Sequence, residues 1–128
     1  MGVSLVKVLI VDDSPTDLMI LFALLNQVGD YQVTQAADGF KALDALSEIL
    51  PDICLVDFDM PGMNGLEFVG QARSKYPDLP FIVISGVPAS DIVSSALAVG
   101  VHTIISKAEV DAGLLDHEIQ AAVTGRVQ

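Results

Sequence analysis

Asp12 and Asp13 close the apolar run KVLIVDD, Asp57 closes ICLVD, and a lone lysine, Lys107, closes TIISK. Two carboxylates about 4 Å apart repel by roughly 4 kcal/mol at the effective dielectric usual near a protein surface. A third makes the conflict worse. A fold tolerates such a cluster when a proton is retained, when the groups splay into water, or when a divalent cation neutralises them. Oxygen-only ligands favour magnesium, manganese or calcium over zinc, and one cysteine and two histidines offer little to a softer metal. Mg2+ is the expected ion, with Mn2+ as the alternative. An acidic cluster facing one fixed cation suits a site that holds a metal ion and a phosphoryl group.

The residues between these sites read as five repeats of strand then helix. Strands are expected over 7–11, 31–36, 53–56, 81–85 and 101–105. The runs around Cys54 and Ile82 are continuously apolar, as central parallel strands covered on both faces should be, and the second strand alternates as an edge strand would. The first helix follows Pro15, capped by Ser14, with Leu18, Leu21, Phe22 and Leu25 at core spacing. The second follows Ala37-Asp38-Gly39 and carries Leu43, Leu46, Ile49 and Leu50 before Pro51. Helices over 65–75 and 90–99 come next, the latter weakly patterned, and a last one turns Leu114, Leu115, Ile119, Ala122 and Val123 inward.

Such alternation implies an α/β, doubly wound parallel sheet with five helices divided between its faces. Ligands of open parallel sheets bind beyond the carboxyl ends of the strands. Asp12, Asp13, Asp57, Ser85 and Lys107 all fall there, whereas Lys7 and Asp52 fall at strand starts on the opposite rim.

At 128 residues, 52% hydrophobic, the sequence is expected to form one domain over 1–128, with its core at about 6–123 and a polar tail over 124–128. A chain of this size buries roughly two-thirds of its unfolded surface. Its net charge of −11, from 17 acidic and 6 basic residues without a basic run, argues against nonspecific binding to nucleic acid or an anionic membrane. Partners are expected to be proteins or cations. Cys54 reads as a small buried hydrophobe, and His102 and His117 as solvated or packing residues apart from the acidic cluster. Without a leader-like N-terminus or an apolar stretch long enough to span a bilayer, a cytoplasmic location is expected.

From Lys7 to Val123 the chain resembles a receiver domain of a two-component response regulator. The resemblance rests on Asp12-Asp13, on the D-x-x-M-P-x-x-x-G segment from Asp57 through Met60-Pro61 to Gly65, on Ser85 followed by Gly86, and on Lys107. It implies a flavodoxin-like sheet with strand order 2-1-3-4-5. It further implies that Asp57 accepts a phosphoryl group from a phosphohistidine of a histidine kinase or phosphotransfer protein. Asp13, Asp57 and the Asp59 backbone carbonyl would bind magnesium directly, with Asp12 acting through water. Lys107, Ser85 and the backbone N–H groups after Asp57 would bind phosphoryl oxygens. Output would pass to a downstream protein target or output domain, and the face of helix four, strand five and helix five is where such domains often dimerise. No separate enzymatic turnover is expected.

Two positions depart from that pattern. Ile104 stands three residues before Lys107, where many receivers carry a Tyr or Phe that swings inward, and Ala108 stands where many carry a cis-proline. A β-branched aliphatic cannot make the aromatic swing, so output is expected to rely on the loop from Ser85 to Ser90 and on helix four. A cis bond before a non-proline residue costs about 2.5–4 kcal/mol, so a trans Lys107–Ala108 bond is expected. Other functions remain to be weighed. A receiver fold can serve as an interaction module whose output ignores phosphorylation. Asp57-Phe58-Asp59 also looks like the D-x-D of haloacid-dehalogenase-like phosphatases, with Asp59 as acid/base, although that explains neither Asp12-Asp13 nor the M-P-x-x-x-G turn. A flavodoxin-like carrier would need a phosphate-binding loop after strand one, where DDSPTD has the wrong charge.

Overall fold

Hydrophobic runs bounded by proline, glycine and aspartate become ten alternating elements. The computed structural model describes residues 5–125. In chain order they are β1 (Val6–Val11), α1 (Pro15–Val28), β2 (Tyr31–Ala36), α2 (Gly39–Glu48), β3 (Ile53–Asp57), α3 (Gly65–Lys75), β4 (Phe81–Ser85), α4 (Ala89–Val99), β5 (Thr103–Ser106) and α5 (Ala112–Gly125). The strands form one parallel sheet in the order β2-β1-β3-β4-β5, as expected. Of the expected polar tail, Thr124 and Gly125 continue α5, and residues 126–128 lie outside the described residues.

Alternation along each strand divides the core in two. Leu9, Val11, Cys54, Val56, Phe81 and Val83 face α2, α3 and α4, with the Phe68 ring edge-on to Phe81 at 5.9 Å between centroids. Val8, Ile10, Ile53, Leu55, Ile82 and Ile84 face α1 and α5. Burying both faces of the three central strands explains their continuous apolar sequences. Burial also pushes the Cys54 thiol pKa up, leaving it a protonated core residue.

Local chemistry sets the boundaries. Ser14 accepts the Asp17 N–H at 3.2 Å and Asp38 accepts the Lys41 N–H at 2.7 Å, starting α1 and α2. Asn64 and Glu67 exchange hydrogen bonds of 2.9 Å in a capping box that starts α3.

Three expectations change. The second helix ends at Glu48, and Ile49 and Leu50 are exposed because the extended backbone at Ile49 turns them off the helical face. Phe22 is exposed, since Leu18, Leu21 and Leu25 already fill the stripe that α1 turns to the sheet. The last strand begins at Thr103, paired with Ile82, instead of at Val101. Gly100, at φ 84°, ends α4 in the left-handed region, and the Val101 N–H returns to the Ala96 carbonyl as part of that cap.

Candidate functional site

Strand register brings the chemistry together. Val11 pairs with Val56, so Asp12 and Asp57 follow side by side at the carboxyl edge. Asp57 pairs with Ile84, Ser85 pairs with Ser106, and the Lys107 N–H donates to the Ser85 carbonyl at 2.8 Å. Residues as far apart in sequence as Asp12 and Lys107 therefore share one rim. On the opposite rim, the Lys7 N–H donates to Asp52 Oδ2 at 2.8 Å, an arrangement that ties the chain together away from the cluster.

Asp12 and Asp57 are buried, at 2% and 3% exposure, while Asp13 is exposed. One carboxylate oxygen from each lies within 4.8 Å of the others, close enough for a single ion to bridge them. Lys107 Nζ lies 3.1 Å from Asp57 Oδ1, in ion-pair range but outside hydrogen-bond geometry. Asp57 Oδ1 is accordingly the one buried side-chain oxygen or nitrogen among the described residues that lacks a hydrogen-bond partner. The Lys107 charge offsets part of the cost of burying it.

Burial raises the Asp12 pKa from 3.8 to about 6, against the lowering effect of the Ser14 N–H, which donates to Asp12 Oδ1 at 2.9 Å; nearby Asp57 raises it further. Burial also raises Asp57, opposed by Lys107. Partial burial alone would lower the Lys107 pKa, but Asp57, Asp17 and Asp12 outweigh it and hold the ammonium protonated. The donor set of hard oxygens, two of its carboxylates buried and one exposed, fits a divalent cation such as magnesium.

The turn after Asp57 is shaped by glycine. A Cβ at Gly65 would lie 2.5 Å from the Asp57 carbonyl oxygen and 3.0 Å from Phe58 Cα, so only glycine lets α3 begin this close to the site. The Gly65 N–H seals the turn by donating to the Phe58 carbonyl at 3.0 Å. Met60 and Met63 anchor the intervening loop in the core. Across the cleft, Gly86 faces Asp59 Oδ2 and Lys107 Cδ, each 3.8 Å from where its Cβ would be.

Ser85 reaches the rim but its hydroxyl is engaged locally: it donates to the Val87 carbonyl at 3.1 Å and accepts the Val87 N–H at 3.0 Å. The Lys107–Ala108 bond is trans, as expected, there being no cis peptide among the described residues. The Ala108 N–H donates to Ser106 Oγ at 3.2 Å, a bond that proline could not make. Ile104 is half-buried against the α4 side of the core. His102 and His117 stand apart from the carboxylates, His102 at 3.5 Å from Glu118.

Sequence reasoning missed Asp17. Its Oδ2 accepts a hydrogen bond from Lys107 Nζ at 3.3 Å. The available signal was an acidic residue in the first turn after DDSP, close in sequence to Asp13; its meeting with Lys107 depends on the fold.

The family model for the response regulator receiver domain matches residues 8–120. A chemotaxis protein CheY homolog from Campylobacter jejuni is 36% identical over 104 residues, 79% of this chain and 80% of that protein. A protein-glutamate methylesterase/protein-glutamine glutaminase from Rhodopseudomonas palustris is 35% identical over 109 residues, 83% of this chain but 30% of that protein. The chain thus spans under a third of the length of that relative. Among solved structures, the Vibrio cholerae chemotaxis protein CheY4 superposes with a TM-score of 0.84 at 30% identity, covering 93% of this chain and 99% of that one.

Proposed function

The chain belongs to the response regulator receiver domains, and on that premise we propose that Asp57 accepts a phosphoryl group from the phosphohistidine of a histidine kinase or phosphotransfer protein. The single observation that carries this reading is the buried Asp57 carboxylate, with Oδ1 3.1 Å from Lys107 Nζ and one of its oxygens within 4.8 Å of oxygens of Asp12 and Asp13.

An Asp57 carboxylate oxygen attacks the phosphorus, the P–N bond to the donor imidazole breaks, and the imidazole leaves with that electron pair and takes up a proton. The product is an acyl phosphate. Phosphoryl transfer asks a protein chiefly for positioning and charge neutralisation. Asp13, Asp57 and the Asp59 carbonyl would hold magnesium directly and Asp12 through water, and the ion when bound would supply positive charge to the transferring oxygens. Lys107 supplies a second positive charge from the β5 side. The Ser85 hydroxyl exchanges Val87 for a phosphoryl oxygen, which draws the loop after β4 inward.

This reading makes the domain a cytoplasmic signalling acceptor without separate substrate turnover, passing its state to a downstream protein target or output domain. Val93 and Leu97, exposed on α4 beside β5, support a contact or dimer surface on the α4–β5–α5 face.

Incubation with Mg2+ and acetyl phosphate should add one phosphoryl group by mass spectrometry in the wild type and none in Asp57→Asn. A folded, metal-bound wild type that stays unmodified would overturn the reading in favour of an interaction module.

A further inference from the structure

Lys107 is shared between two carboxylates. Its Nζ stands 3.1 Å from Asp57 Oδ1 and donates a hydrogen bond to Asp17 Oδ2 at 3.3 Å. We propose that Asp17 is a positioning residue that holds the Lys107 ammonium toward α1 and thereby slows phosphoryl transfer to Asp57. The inference rests on Asp57 being the phosphoacceptor.

Asp17 is well placed for this. The Ser14 cap fixes its backbone in the first turn of α1, which directs its carboxylate across to the chain leaving β5. Asp17 and Lys107, with Asp12, border a crevice of about 100 Å³ whose remaining wall is Ile20, Leu21, Ile84 and Val110. Both side chains keep roughly a third of their surface exposed, at 35% and 34%, so the ammonium remains free to turn away.

During transfer, charge spreads over the equatorial phosphoryl oxygens, and these compete with Asp17 for the same ammonium protons. An ammonium bonded to Asp17 has one donor fewer and less of its charge to offer those oxygens. An amide at position 17 keeps the shape and an acceptor oxygen but removes the charge that holds the lysine.

The test compares initial rates of phosphorylation by acetyl phosphate with Mg2+ in wild type, Asp17→Asn and Asp17→Glu, each with Lys107 intact and in a Lys107→Ala background. Asp17→Asn should be about two- to fivefold faster, the scale of a partly exposed ion pair. Asp17→Glu should restore the wild-type rate, and the Asp17→Asn effect should vanish without Lys107. An unchanged or slower Asp17→Asn rate overturns the proposal, as does an equal acceleration in the Lys107→Ala background, which would assign the effect to overall charge. A wild type that is never phosphorylated removes the phosphoacceptor reading and this inference with it. A phosphorylated wild type matched by Asp17→Asn removes only the role of Asp17.

Discussion

Asp12 and Asp57 carry the same side chain as the exposed Asp13 but not the same burial, and that difference raises the pKa of the buried pair. An acid whose pKa is raised on folding contributes stability below its unfolded value and loses that contribution as pH rises through the folded value. For Asp12 the window runs from 3.8 to about 6, and Asp57 acts in the same direction. Thermal melts in chelator should therefore show wild-type Tm falling across that window, with a flatter profile in Asp12→Asn. Added Mg2+ should raise Tm most at neutral pH, where it has no proton to displace, and progressively less toward pH of about 4.5. Equal Mg2+ stabilisation at both pH values would remove the link between these carboxylates and the ion.

At the scale of elements, the site depends on how closely two backbones approach. The start of α3 lies against the Asp57 carbonyl because Gly65 has no Cβ to hold it off, with a clash distance of 2.5 Å for any larger residue. Gly65→Ala should destabilise the fold by about 1–3 kcal/mol, the usual cost of overpacking, read as a lower urea midpoint with little change in m. It should also slow phosphorylation by moving the Asp57 turn. Wild-type stability in that variant would mean that α3 shifts freely. The chain after β5 makes a complementary case: Ser106 holds the Ala108 N–H, so a trans backbone positions Lys107 without the proline that many receivers carry.

For the whole molecule, the proposed switching would run through the β4–α4 connection, because Ile104 offers no aromatic ring to rotate and the Ser85 hydroxyl, bonded to Val87, would exchange that partner for a phosphoryl oxygen. Amide NMR shifts should change on phosphorylation at Gly86, Val87 and the first turn of α4 more than along α2, and unchanged shifts there would refute this route. The periodicity and the motif spacing sufficed for the parallel sheet, its helices, and the placing of Asp12, Asp13, Asp57, Ser85 and Lys107 at one edge, because apolar runs and turn residues act locally and the carboxyl-edge rule is general to open parallel sheets. Where competing local signals had to be settled by neighbours, the sequence fell short: Ile49, Leu50 and Phe22 are apolar but exposed, and Gly100 with Val101 forms a helix cap before β5. Pairings between remote segments are set by register and by side-chain direction, which no local pattern encodes. Hence only the tertiary structure decided that Lys107 bonds Asp17 while standing 3.1 Å from Asp57 Oδ1.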